Sequence, residues 1–134
     1  MKKIMILLSS SLFLSSCFDS NDKTPEQIIQ LGKSKFEANC SVCHGQDAQG
    51  IVEDWKKRLP DGSFPPPPLN GTAHTWHHSP AQLLRTIDEG GVALGGKMPG
   101  FKGKLNDAEK HAILDYLYSL WPADIKQRYD ARFK

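Results

Sequence analysis

The 134-residue sequence predicts an all-α domain in which a few helices are joined by long loops. Three segments begin with a capping-box pattern, in which Ser, Thr or Asn is followed three residues later by Gln or Glu. Apolar residues then recur in each segment at helical spacing. No segment alternates between polar and apolar residues over enough positions to indicate a strand. Helices are therefore the expected regular elements.

The N-terminal residues predict an export signal peptide over residues 1–16. Lys2 and Lys3 precede an apolar run over 4–14, which is too short to cross a bilayer as a mature helix. The letters LSSC that end at Cys17 look like the lipobox of bacterial lipoproteins, in which the signal is removed and the cysteine becomes the lipid-modified first residue. Cleavage of an ordinary signal in the Ser-rich stretch and a buried N-terminal helix are the alternatives.

Lipid attachment at Cys17 predicts a lipoprotein that is anchored to a membrane from outside the cytoplasm. Residues 17–24 are short and polar, so they are expected to form a flexible tether to a folded domain over 25–134. Several acyl chains together hold a protein on a bilayer stably, where a single chain would not. The predicted location is the periplasm, at the inner or the outer bacterial membrane.

The charge balance argues against a nucleic-acid binder. The whole sequence holds 17 Lys and Arg against 15 Asp and Glu, but two of the lysines lie in the predicted signal peptide. Without residues 1–16 the two counts are equal at 15. The predicted domain therefore lacks the basic excess that nucleic-acid binding requires.

Three main helices follow from start and stop signals in the sequence. The first starts after Thr24, with proline at its first position, and continues to about residue 39. The second starts after Ser79 and stops at a pair of glycines, and the third starts after Asn106 and stops before Pro122. The C-terminal tail is expected to add one or two amphipathic turns, whose apolar residues are Ile125, Tyr129 and Phe133.

The segment between the first two helices is too long for a compact domain of this size without a further component. Residues 45–78 show little periodicity and include four consecutive prolines at 65–68. Irregular loops of that length are uncommon in compact domains, and three short helices bury little apolar area. A large apolar cofactor in the middle of the fold would account for both features.

Residues 40–44 read CSVCH and supply the attachment point for such a cofactor. On one helical turn the side chains of Cys40, Cys43 and His44 point to the same side. Two thiols can then add to the two vinyl groups of one haem while the imidazole reaches its iron. A zinc site would need further ligands, and a redox dithiol of the thioredoxin type belongs in a βαβ setting. One covalently bound haem c is the predicted cofactor.

Met98 is the predicted second axial ligand of the haem iron. The other two methionines lie in the predicted signal peptide. Met98 lies in the segment GGKMPGF, in which the glycines permit close backbone approach and Pro99 restrains the chain. Ligation by an imidazole and a thioether is a recognised arrangement that raises the reduction potential. The alternative is a methionine that fills a gap in the core.

Over residues 25–121 the sequence resembles the class I c-type cytochromes. The resemblance rests on the early CSVCH at 40–44, the late Met98-Pro99 and the helices that flank both. It implies a small cytochrome c fold, with three main helices and long loops wrapped around one covalently bound haem. It also implies electron transfer by a haem iron that His44 and Met98 ligate.

The resemblance further implies how the first and the last main helices cross. In that family they meet through a glycine and an aromatic residue on one side and an aromatic residue on the other. Gly32 and Phe36 would then meet Ile113 and Tyr116. Such a contact would explain a glycine in the middle of a helix, where it costs about 1 kcal/mol relative to alanine.

A second implied contact concerns the histidine ligand. The family has a proline carbonyl that accepts a hydrogen bond from the ligand imidazole, and Pro67 matches that proline by its spacing to Leu69 and Gly71. The long insertion at 55–64 departs from the shortest members of the family. The cover over that edge of the haem is therefore not implied by the resemblance.

Three histidines at positions 74, 77 and 78 form the remaining cluster. One interpretation is structural: Trp76 packs near the haem edge while the histidines cap loops or face a haem propionate. A second is a further metal site, with copper as the candidate, built from two or three imidazoles. A third is that one of these histidines replaces Met98 at the iron.

The predicted function is electron transfer without substrate chemistry, because six-coordinate iron leaves no open position for a substrate. The expected partners are a reductase or oxidase and the machinery that attaches haem. Positive charge near the haem edge would attract a redox partner by weak, salt-sensitive forces, although simple solvation would equally explain these lysines. The lysines are Lys97, Lys102 and Lys104.

Two other classes of function remain open from the sequence. One is a sensor or peroxidase-like protein with an open coordination position at the iron. The other is a copper-handling or assembly factor that uses the histidines at 74–78.

Overall fold

A computed structural model describes residues 23–134 of the chain. This part of the protein is all-helical, as predicted, with loops and two short 3-10 turns between five α-helices. The three main predicted helices are confirmed. The C-terminal tail forms a helix of 11 residues, about three turns, which is longer than expected. The helices are α1 (Pro25–Asn39), α2 (Ser41–His44), α3 (Pro80–Glu89), α4 (Asp107–Leu120) and α5 (Ala123–Phe133).

Each main helix begins with the capping box that its sequence predicts. The side chains of Thr24, Ser79 and Asn106 each accept a hydrogen bond from the backbone N–H three residues later. In each case the side-chain oxygen of the Gln or Glu at that later position accepts a hydrogen bond from the backbone N–H of the cap. Two N–H groups that the helix itself leaves unpaired are thereby satisfied at every start.

Helices α1 and α4 cross at Gly32, where the two backbones touch. A Cβ atom on Gly32 would lie 1.9 Å from the carbonyl oxygen of Ala112. One turn further along α1, the fully buried ring of Phe36 lies 5.5 Å from the ring of Tyr116. The predicted contact with Tyr116 is confirmed. The nearest α4 backbone at Gly32 belongs to Ala112, while Ile113 shares the apolar core with Phe36.

Helix α5 packs against the end of α4 through aromatic side chains. The buried ring of Tyr129 lies 4.9 Å from Trp121, at an angle of 74°. Tyr118 and Phe133 extend the same cluster. The indole N–H of Trp121 donates a 2.8 Å hydrogen bond to the carbonyl oxygen of Leu69. The C-terminal helix is therefore linked to the proline-rich loop.

Lys110 joins α3 to α4 through an ion-pair network. Its ammonium lies 2.9 Å from the carboxylate of Asp88 on α3 and 2.7 Å from that of Asp107 on its own helix. The side chain of Lys110 is only 9% exposed. Its hydrogen bonds to the two carboxylates raise the pKa of Lys110, so the ammonium stays charged at neutral pH.

Several predictions lie outside the described residues. These are the signal peptide over 1–16, lipidation at Cys17 and the first residues of the tether. Within residues 23–134, no helix combines the length and the apolar character that crossing a bilayer requires.

Candidate haem site

A cavity of about 910 Å³ lies between the helices and the long loop that precedes α3. Residues 45–78 do not form a separate unit, because many of them line this cavity. The insertion at 55–64 contributes three large side chains to its wall, so this departure from the family pattern covers the cavity. The apolar lining includes Phe36, Trp55, Leu59, Phe64, Leu83, Phe101, Ile113 and Leu117.

The CSVCH segment presents all three of its reactive side chains to the cavity. Cys40 caps the end of α1, and its carbonyl oxygen accepts hydrogen bonds from the backbone N–H groups of Cys43 (3.1 Å) and His44 (2.9 Å). This turn is α2, and it places Cys40, Cys43 and His44 together along the cavity wall. Neither cysteine forms a disulfide bond.

The two thiols differ in their surroundings. Burial, together with the neighbouring Cys43, raises the pKa of Cys40 to about 11. Cys43 is exposed. Before haem attachment, Cys40 is therefore a neutral thiol at physiological pH, and Cys43 is the cysteine at the open side of the cavity.

His44 is oriented by the carbonyl oxygen of Pro67. Its Nδ1 lies 2.9 Å from that oxygen. A carbonyl can only accept, so Nδ1 carries the hydrogen and donates it, and Nε2 is left to bind a metal. Burial lowers the pKa of His44, while the hydrogen bond to Pro67 opposes that shift. The imidazole is therefore neutral at pH 7, which is the form that ligates metals.

The proline-rich loop is held against the CSVCH turn by backbone hydrogen bonds. The N–H of Leu69 donates to the carbonyl oxygen of Ala48 (2.7 Å), and the N–H of Gly50 donates to that of His44 (2.7 Å). Each proline also restricts the residue before it to an extended conformation. The position of the Pro67 carbonyl is thus set by a stiff segment that is hydrogen-bonded to the turn that carries His44.

Met98 lines the same cavity from the segment after α3. The N–H of Gly91 donates a 3.0 Å hydrogen bond to the carbonyl oxygen of Met98. Gly90 has a φ of +83°, and a Cβ atom there would lie 2.5 Å from that same oxygen. The glycine pair that ends α3 therefore also lets the Met98 backbone approach it. The sequence indicated that these glycines end the helix, but it did not indicate that they allow the Met98 backbone to come close.

The histidine cluster is engaged in aromatic contacts. His74 stacks on Trp55 with ring centroids 4.7 Å apart and an angle of 14°, and His78 meets His74 edge-on at 5.2 Å. His77 is exposed and lies against Trp76 at 3.8 Å. Of the two tryptophans, Trp55 lines the cavity. Within residues 23–134, no group of three or more His, Cys, Asp or Glu side chains is arranged to hold a metal ion.

The three lysines proposed for partner docking differ in their environment. Lys97 lines the cavity and forms an ion pair with Asp61. Lys104 lies over the ring of Phe101, 5.8 Å from its centroid. Lys102 is exposed. Lys97 is therefore the lysine that stands at the cavity itself.

The residues present fit a covalently bound haem. Two free thiols, one buried imidazole with a nitrogen left for a metal, and one thioether all line one apolar cavity. The volume lies at the upper end of the range of about 300–1,000 Å³ for small-molecule and cofactor sites. The donor set also matches the His and Met ligation of c-type haem iron.

Comparison with known proteins identifies the family. Residues 27–117 match the family described as cytochrome c oxidase, cbb3-type, subunit III. The subunit CcoP of a cbb3-type cytochrome c oxidase from Rhodobacter capsulatus is 33% identical over 108 residues, which cover 75% of this chain and 32% of the relative. A thiosulfate dehydrogenase from Psychrobacter arcticus is 34% identical over 86% of this chain and 32% of its own length. The chain thus spans about a third of these two relatives.

In two further comparisons, the match covers most of this chain and most of the other protein. Cytochrome c6 of Synechocystis sp. is 26% identical over 84% of this chain and 82% of its own length. The crystal structure of cytochrome CL from Methylophaga aminisulfidivorans shares the fold, with a TM-score of 0.53 and 24% identity over 83% of this chain and 71% of that one. The chain belongs to the cytochrome c family: it is a class I c-type cytochrome that binds haem c covalently.

Proposed function

We propose that this cytochrome passes single electrons between proteins of the periplasm while a lipid on Cys17 holds it at a membrane, and that His44 and Met98 ligate its iron. The observation that carries the proposal is the common cavity. It receives His44 from α2 and Met98 from the segment after α3. The bound haem supplies a one-electron couple between ferric and ferrous iron.

The residues of the chain have distinct tasks in this proposal. Cys40 and Cys43 hold the cofactor through two thioethers, so it stays bound in both oxidation states. His44 offers Nε2 to the iron, and Pro67 keeps its ring oriented by accepting from Nδ1. Met98 offers its thioether sulfur, and a full set of ligands leaves no position for a substrate.

The apolar lining keeps water away from the redox centre. Side chains from α1, α4 and the insertion at 55–64 surround the cavity. A dry, low-dielectric setting disfavours the net positive charge of the ferric centre relative to the neutral ferrous one, so it raises the reduction potential. The thioether ligand of Met98 acts in the same direction.

Electrons would enter and leave at the side where Cys43 is exposed. Val42 beside it is 82% exposed, so an apolar side chain stands at the surface there. The ion pair of Lys97 with Asp61 adds charged groups at the cavity edge. Apolar contact surrounded by charge suits a weak, salt-sensitive redox complex. The CcoP relatives suggest an oxidase subunit as the partner, and haem-attachment machinery must act on the cysteines beforehand.

The similarity to a thiosulfate dehydrogenase favours a second candidate, in which this chain oxidises thiosulfate. An enzyme of that kind would reduce a chemical electron acceptor only when thiosulfate is supplied. A carrier would exchange electrons with a protein partner and leave thiosulfate unchanged. Steady-state assays of the purified holoprotein with and without thiosulfate separate the two.

Replacing Met98 by alanine should open one coordination position of the iron. The weak red absorption band of ferric iron bonded to a methionine sulfur should disappear, and the potential should fall on the order of 100 mV. The ferrous variant should bind carbon monoxide rapidly, whereas the unmodified protein should not. Optical spectra and potentiometry measure these changes.

A matched control is Leu83→Ala, which removes another side chain of the cavity wall but no ligating atom. This variant should keep the red band and resist carbon monoxide. Rapid carbon monoxide binding by the unmodified ferrous protein would show that Met98 is not a ligand and would favour the sensor or peroxidase-like alternative.

Replacing Cys17 by alanine should abolish lipid attachment. Cells fed labelled palmitate should label the unmodified protein and a Ser20→Ala control, but not the Cys17→Ala variant. Mass spectrometry of the purified chain should show the added mass of several acyl chains on an N-terminal Cys17. An unmodified N-terminus elsewhere in the Ser-rich stretch would refute the lipid anchor and leave electron transfer untouched.

A further inference from the structure

His74 carries a buried nitrogen that has no partner in the described part of the chain. Its Nδ1 is shielded from solvent, and no hydrogen-bond partner lies within reach among residues 23–134. Buried polar groups in folded proteins are almost always paired. His74 also lines the haem cavity. The missing partner is therefore expected on the group that fills this cavity.

Neighbouring side chains hold the His74 ring in place. Trp55 stacks on one face at 4.7 Å and 14°, and the ring of His78 meets it edge-on at 5.2 Å. A ring held on two sides cannot turn its nitrogens freely towards solvent. The imidazole is therefore oriented before the cofactor binds, as a positioning group should be.

The chemistry of haem supplies an acceptor for this nitrogen. Haem c is attached through the two carbons that were vinyl groups, and its two propionate carboxylates lie on the opposite edge of the porphyrin. Cys40 and Cys43 hold the vinyl edge. The carboxylates therefore need N–H donors from another part of the cavity wall, and Trp55, Lys56, His74 and His78 on that wall carry such donors.

We propose that His74 donates a hydrogen bond from Nδ1 to a propionate of the bound haem, and that the proton on its Nε2 is coupled to the oxidation state of the iron. The inference rests on the bound haem c and is independent of whether Met98 is the sixth ligand. Uptake of one electron from a redox partner is then accompanied by partial uptake of one proton from solvent at His74. Oxidation of the iron then releases the electron to a partner and the proton to solvent.

The protonation of His74 is sensitive to its surroundings. Burial lowers its pKa, and the nearby charges of His78, His77 and Lys56 lower it further. A carboxylate at Nδ1 acts against these effects, because it favours the imidazolium form. The other titratable or charged side chains that line the cavity are Cys40, Cys43, His44, Lys56, His78, Arg85, Glu89 and Lys97.

The sign of the coupling follows from charge. Ferric iron carries one more positive charge than ferrous iron, so the pKa of His74 is lower in the ferric protein. At pH values below the ferric pKa, His74 is protonated in both oxidation states, and at pH values above the ferrous pKa it is neutral in both. In each of these two ranges the reduction potential is constant. Between the two values the potential falls as pH rises. A tenfold difference in proton affinity corresponds to a fall of 59 mV for a one-electron couple.

The test is the midpoint potential of the full-length holoprotein as a function of pH across the neutral range. The unmodified protein should show a falling segment, and His74→Phe, which keeps a ring against Trp55, should be flat there. His77→Phe is the matched control, because His77 is exposed nearby and lies against Trp76 instead. This control should keep the falling segment, moved to a slightly higher pH because the charge of His77 no longer lowers the pKa of His74.

Histidine nuclear magnetic resonance tests the same coupling without any substitution. The His74 ring, identified by its through-space contact with Trp55, should titrate at a higher pH in the ferrous protein than in the ferric protein. Equal titration in both states, or a pH dependence that survives in His74→Phe, would overturn the proposal. Covalent haem and the red band are monitored in every sample, so loss of the cofactor or of the Met98 ligand is recognised separately.

Discussion

Replacing both Cys40 and Cys43 by alanine should leave the chain without covalently bound haem and without a stable native fold. The helices enclose a cavity of about 910 Å³ whose lining is mostly apolar. Unfilled cavities cost about 24 cal/mol per Å³, so this space would cost about 20 kcal/mol if its walls did not move. Small domains are stable by only about 5–15 kcal/mol. The walls of the unfilled protein must therefore collapse or unfold.

The experiment compares the double variant with Val42→Ala, made in a host that matures c-type cytochromes. Val42 lies between the two cysteines and is 82% exposed, so its replacement leaves both thiols and the core intact. The control should retain covalent haem by mass spectrometry and a cooperative thermal transition. The double variant should lose both. A colourless double variant with the helical content and melting transition of the unmodified protein would contradict the role given to haem.

Replacing Gly32 by alanine should destabilise the holoprotein by about 3 kcal/mol, the upper end of the usual cost of overpacking. Alanine is intrinsically the better helix former by about 1 kcal/mol, so propensity alone predicts the opposite sign. The new Cβ would lie 1.9 Å from the backbone oxygen of Ala112 and 2.9 Å from the Cβ of Tyr116. Neither atom can move away by a side-chain rotation, so α1 and α4 must separate.

Denaturant unfolding of the holoprotein, followed by circular dichroism, measures this loss. Ser34→Ala is the control, because Ser34 is an exposed residue on the same helix. It should leave the free energy of unfolding unchanged or raise it slightly, as helix propensity predicts. An increase in stability for Gly32→Ala would mean that the two helices do not touch at this position.

Helix positions were predictable because their signals are local. Thr24, Ser79 and Asn106 each cap a helix with atoms from residues within one turn, so spacing alone contains the information. The length of the C-terminal helix was underestimated, because its stability comes from Trp121 and Tyr129. The contact between these two residues depends on how α4 and α5 pack.

The site was predictable where a sequence pattern reports its chemistry. The CSVCH segment and Met98 stand out by residue type, and they line one cavity. The resemblance to a family supplied the hydrogen bond between His44 and Pro67, which is present at 2.9 Å. The unpaired nitrogen of His74 was not predictable, because it depends on every neighbour that could have satisfied it.

The hydrogen bond from Trp121 to Leu69 joins residues 52 positions apart, and Leu69 lies two residues after Pro67. Trp121 itself follows the segment that the family model matches. The loop that carries the hydrogen-bond acceptor of His44 is thus anchored by a residue outside the segment that the family match includes. We therefore expect changes after residue 117 to reach the position of His44 through this loop.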